Sequence, residues 1–178
     1  MAGKRVTDLT ALDEQMGTGD LFNIVDVNDT TGSAEGTSKK IDSKYIIQTD
    51  KFSLDNAAVK LLSHGDSPKI LVGALSGYMP TVFNVTVLCT YASSTEGSNN
   101  SLLFGFDSSS NNEYWDHQSR MMSGTTTDNT YIFSGEMATS GANRGSILNT
   151  AFTMWSTGAF DGGWSMDVYV TYCYTKIL

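Results

Sequence analysis

The sequence is poor in the residues on which most side-chain chemistry depends. Two histidines and two cysteines in 178 residues leave little for acid–base, thiol or metal chemistry, which needs several such groups brought together. No Walker, dinucleotide-binding or G-x-S-x-G motif occurs, and Gly73 and Gly77 lie in or after a strand-like run rather than ahead of a helix. Lys and Arg total 11 against 19 Asp and Glu, a formal charge of −8. With no basic run to neutralise successive phosphates, nucleic acid is not an expected partner. No apolar stretch approaches the roughly 18 residues of a membrane helix, so no membrane partner is expected either. The opening MAGKRVTDLTALDEQ carries charge without a following apolar core. The expectation is therefore a soluble chain made in the cytoplasm without a signal peptide. No internal repeat of solenoid period is visible.

What is abundant is Ser, Thr, Asn and Gly, beside a hydrophobic fraction of 40% and a charged fraction of 17%. That balance suits strands joined by polar turns. From Lys69 onward the chain reads as strand after strand: Lys69–Leu75, Thr81–Tyr91, Leu102–Phe106, Glu113–Trp115, Tyr131–Phe133, Ile147–Trp155 and Trp164–Tyr174, with connections such as SSTEGSNN, DSSSNN and SGTTTDN. In Thr81–Tyr91 the face bearing Phe83, Val85, Val87 and Cys89 is the expected core face. In the last run Met166, Val168, Val170 and Tyr172 alternate with Asp167, Tyr169, Thr171 and Cys173, as a sheet packed on one side requires. About eight strands without a long amphipathic helix predict an all-β fold, an antiparallel β-sandwich of jelly-roll type. Cys89 and Cys173 both sit in apolar runs and read as free core thiols, with pairing open if their strands are neighbours; two cysteines make no secreted disulfide framework.

Residues 1–50 read differently, as short elements with too little apolar surface for a core of their own. Val6, Leu9 and Leu12 recur at a spacing that fits one or two helical turns or an extended segment laid on a partner. Leu21–Val27 is rich in strand formers, Asn28–Gly32 favours a turn, and Thr37–Ile41 supplies a return strand. An extended N-terminal segment with a short β-hairpin is predicted. Asp42 or Ser43 could cap a short helical turn at Lys44–Ile47. Between Asp50 and Ser67 the pattern is ambiguous. Leu54, Ala57, Ala58, Leu61 and Leu62 would line a helix face, whereas Ala58–Leu62 could be a strand.

Taken in order, Lys4–Leu12, Asp20–Gly32 and Thr37–Ile41 (KRVTDLTAL, DLFNIVDVNDTTG and TSKKI) resemble the leader of phage tail-fibre and head-fibre proteins. The likeness covers about a quarter of the chain. A second likeness, over Asn56–Val87, is to small jelly-roll domains of phage structural proteins, and it favours strand for Ala58–Leu62. The resemblance implies residues 1–50 as a virion-attachment segment and residues 51–178 as a β-sandwich that oligomerises, as a homotrimer. It implies a virion location, with other virion proteins of capsid or tail as partners and a head-fibre, decoration or short tail-fibre role. Attachment would fall to Val6, Leu9, Leu12, Leu21, Phe22, Ile24, Val25 and Val27, whose apolar area a partner would cover at about 25 cal/mol per Å2. Those strand formers could also add to a neighbour's sheet edge.

The remaining polar and aromatic clusters carry little chemistry. His64, in His-Gly-Asp-Ser-Pro, reads as an exposed turn residue, and Glu113, Asp116 and His117 as a loop at the sandwich edge rather than a cation site. Asp26–Gly32 begins like a calcium loop but offers Thr31 where glycine is needed and Thr37 where a bidentate glutamate is needed, so a structural turn is expected. No metal, cofactor or catalytic residue is assigned, and the chain is read as a non-enzyme. The alternative function is a receptor-recognition tip for a bacterial surface glycan. Its ring platform would draw on Tyr114, Trp115, Trp155, Phe160 and Trp164, with Trp115, Asp116 and Trp164 the foremost candidates.

Overall fold

In the computed structural model the described residues are 21–32, 37–63, 68–106, 114–135 and 148–177. The chain divides into two units, Met1–Ile46 and Ile47–Leu178. In the first, β1 (Leu21–Asp26) pairs antiparallel with β2 (Thr37–Asp42), Leu21 opposite Asp42 and Asp26 opposite Thr37. The predicted hairpin is thus present as a two-stranded sheet. A 3-10 turn follows at Ser43–Tyr45, where Asp42 Oδ1 accepts the Lys44 N–H at 3.4 Å.

The second unit carries eight strands: β3 (Gln48–Leu54), β4 (Lys69–Val72), β5 (Tyr78–Tyr91), β6 (Leu102–Phe106), β7 (Tyr114–Gln118), β8 (Asn129–Phe133), β9 (Phe152–Ser156) and β10 (Trp164–Lys176). They form two four-stranded antiparallel sheets, ordered β3-β10-β5-β8 and β4-β9-β6-β7. Apart from the β6–β7 hairpin, each successive strand crosses to the opposite sheet. That double Greek key is the jelly-roll form of the all-β sandwich.

Alternation explains which faces meet. Met166, Val168, Val170 and Tyr172 of β10 and Val85, Val87 and Cys89 of β5 are buried against Leu102 and Phe104 of β6 and Phe152 and Met154 of β9. Each large apolar side chain so covered contributes roughly 1.5–3 kcal/mol relative to exposure. A tilted ring pair, Phe104–Phe133 at 4.7 Å, packs one sheet on the other, and an edge-to-face pair, Phe106–Phe152 at 5.3 Å, joins neighbouring strands β6 and β9.

Several expectations are corrected. Ala58–Leu62 is not a strand: Asn56–Lys60 forms a short helix, α1, because Asp55 caps it by accepting the Ala58 N–H at 2.8 Å and because Val59 and Leu62 then fall on one buried side. The expected boundary near residue 50 falls inside β3, which begins at Gln48 and pairs with β10 along its length. Phe83 is exposed rather than on the core face. The β5–β10 register slips there, Thr171 lying opposite Asn84 and Tyr172 opposite Val82, so Phe83 is the extra residue of a bulge and the inward parity reverses. Cys89 is a buried free thiol, as read, but the free thiol Cys173 is half-buried on the outward side of β10. The strand predicted from Ile147 begins at Phe152.

Candidate functional site

The loop end of the sandwich is organised around a buried carboxylate. Glu96, in the β5–β6 connection, is 2% exposed. Its carboxylate accepts the backbone N–H of Gly162 (2.9 Å), Asp161 (3.2 Å) and Ser98 (3.1 Å), and the indole N–H of Trp164 (3.0 Å). Asp161, in the β9–β10 connection, reciprocates by accepting the N–H of Gly97 at 2.8 Å and of Ser98 at 3.3 Å. Its carboxyl is held below the usual carboxylate range, first by the Gly97 N–H and then by the Glu96 side chain. Two connections therefore clasp each other through opposed carboxylates.

Backbone bonds extend the clasp. The Gly124 N–H in the β7–β8 connection donates to the Glu96 carbonyl, the Gly163 N–H to Ser94, and the Ala92 N–H to the Gly163 carbonyl. Asn56 of α1 donates to the carbonyls of Gly162 and Trp164, at 2.8 and 2.9 Å. Gly162 and Gly163 are required by this closeness. A Cβ on Gly163 would lie 2.1 Å from Ser93 Oγ and 2.8 Å from the Ser94 nitrogen. The arrangement holds a buried carboxyl group on backbone and indole N–H donors. Its chemistry is that of a brace.

The hairpin has an ionic counterpart. Lys39 of β2 places Nζ 2.6 Å from Asp29 Oδ2 and 3.4 Å from Asp26 Oδ2. The oxygens that resembled the start of a calcium loop thus hold an ammonium group. Lys39, with the Thr31 hydroxyl and N–H, depresses the Asp29 carboxyl to about 2. Thr37 Oγ1 donates to the Asp29 carbonyl at 2.8 Å and accepts the Gly32 N–H at 3.0 Å.

Of the residues expected to attach the particle, Leu21, Phe22, Ile24 and Val25 lie along β1, and Val27 just beyond it is 69% exposed. Val6, Leu9 and Leu12 lie outside the described residues, as do His64 and Glu113. The glycan candidates are corrected by burial. Trp115 lies in the core with its ring edge-to-face on Phe152 at 5.6 Å. Trp164 is 1% exposed, its ring packed on Phe160 at 5.1 Å. Neither offers an open face for a sugar. The two stand on different sheets, and the Asp116 carboxylate accepts the N–H of His117 at 2.7 Å. Trp155 and Phe160 are buried as well. Among the described residues, a groove of about 260 Å3 beside α1 is lined by Leu54, Ala58, Leu61, Leu62 and Lys69 and contains no acid–base pair. Among the described residues no three His, Cys, Asp or Glu side chains converge as metal ligands would.

The clasp was not legible in the sequence, where SSTEGSNN reads as any polar loop. The one available signal was the DGGW run, since paired glycines before a tryptophan mark a backbone approached closely by something.

No family model matches the chain, and no curated protein matches it. Among solved structures it is similar to a chain in the acidic stable capsid structure of Helicobacter pylori bacteriophage KHP30, with TM-score 0.42 and 16% identity over 74% of this chain and 87% of that one. It is also similar to a chain in the capsid asymmetric unit of cyanophage Pam1, with TM-score 0.38 and 16% identity over 98% of this chain and 99% of that one. Both solved neighbours are from phage capsids.

Proposed function

We propose that this chain is a non-enzymatic structural protein of a bacteriophage particle, a head-fibre, decoration or short tail-fibre component. In this reading the N-terminal unit attaches to a neighbouring virion protein and the jelly roll oligomerises. The observation that carries it is the hairpin. β1 and β2 form a sheet of two strands, and a two-stranded sheet alone is at best marginally stable in water. A third strand or an apolar surface from a partner supplies what it needs, either by adding to a sheet edge or by covering the apolar residues of β1. The leader's likeness to phage fibre leaders supports the same assignment, and the two capsid neighbours are in keeping with it.

Light scattering on the full chain and on residues 47–178 tests the division of labour. The reading expects the same oligomer, a trimer, from both. A monomeric shorter chain beside an oligomeric full chain would make the leader the assembly element and overturn the assignment.

A further inference from the structure

We infer that the outward face of the β3-β10-β5-β8 sheet, at its β5–β8 side, is the surface through which one copy of this chain binds another. The inference rests on the oligomer reading above and specifies where the contact lies. The bulged Phe83 is 44% exposed, Leu88 37% and Ile132 71%. Leu88 stands opposite Thr130 and Ile132 opposite Thr86, so Leu88 and Ile132 are diagonal neighbours within reach of each other. Tyr169, opposite Thr86 on β10, continues the patch inward.

Charge identifies the occupant. At outward positions of these four strands the charged residues are Lys51 and Asp167, and these are ion-paired with each other at 2.9 Å. A chain of formal charge −8 repels its own copies least across such a neutral face, and a basic partner finds no acidic patch there to bind. The edges agree. β3 carries Asp50 and Lys51, β4 carries Lys69, and β7 carries Asp116, whereas β8, Asn-Thr-Tyr-Ile-Phe, carries no charge. Charged residues are the usual protection of an edge against pairing with another chain. The outward positions of β9 in the other sheet, Thr153 and Trp155, are already buried, and the exposed apolar residue of that sheet, Ile70, stands apart on β4 beside Lys69.

Sedimentation velocity on the full chain over a range of concentrations tests this, using wild type, Ile132→Lys, Leu88→Lys/Ile132→Lys and, as a control on the other sheet, Ile70→Lys. The expected result is an oligomeric wild type and control, with dissociation raised at least about tenfold in both Ile132 variants. Circular dichroism and melting close to wild type would show that these exposed changes leave the fold intact. Thr130→Lys, outward on the same edge, gives a second, milder variant with the same expectation. An oligomer unaffected in the double variant overturns the location alone. A wild type that is monomeric throughout overturns the oligomer reading and this inference with it.

Discussion

Glu96 is the residue on which the loop end depends. Its removal leaves the N–H groups of Gly162 and Asp161 and the Trp164 indole without an acceptor, and each buried unpaired donor costs about 1–3 kcal/mol. Glu96→Ala is expected to lose about 3 kcal/mol or more, about 1 for each of the three donors at the least, lowering Tm by roughly 10 °C for a domain of this size. Thermal unfolding measures it, and a fall of only a degree or two would show that the clasp does not brace the fold. Asp161 sets a pH dependence whose sign follows from its depressed pKa. Such a group's contribution is complete above the unfolded carboxylate value of about 3.9 and is lost as pH falls through the lower folded value. Asp161→Asn should therefore flatten the acid limb of the stability curve while leaving the slope near neutrality unchanged. Burial pushes the Cys89 thiol up to about 12. A thiol reagent at pH 8 should accordingly leave Cys89 unlabelled until the chain unfolds, and immediate labelling of Cys89 in the native protein would contradict its placement in the core.

At the level of elements, strand existence was readable wherever alternation was clean, as in β10, where Met166, Val168, Val170 and Tyr172 all face the core. It failed where one local contact outweighed pattern. The run Asp55–Leu62 held too few residues for helical periodicity to separate from a strand, and the decision fell to the Asp55 cap and to Asn56 reaching Gly162 and Trp164 across the fold. Phe83 was misplaced because a bulge reverses parity without any mark in composition. The aromatics near Asp and Gly were legible as important, but not as core, because the acceptor that satisfies the buried Trp164 indole is a glutamate 68 residues away. Gly163→Ala tests the closeness of the connections. Its Cβ would strike Ser93 and the Ser94 backbone, and overpacking of this kind costs about 1–3 kcal/mol. An unchanged Tm would show that the loops have room to separate.

At the scale of the molecule, the division into Met1–Ile46 and Ile47–Leu178 separates a hairpin from a sandwich with its own core. The sandwich was legible because eight strands must bury their alternate positions somewhere, and two sheets face to face are the economical solution. The pairing order of the strands was not, since it rests on contacts far apart in sequence such as β3 with β10. The division carries the functional claim that the hairpin unit holds the protein to its particle while the sandwich does not. Particles lacking the protein, mixed with purified full-length chain or with residues 47–178 and then sedimented, test it most directly. The account predicts that the full chain co-sediments and the sandwich stays in solution. Equal co-sedimentation of the sandwich alone would contradict it.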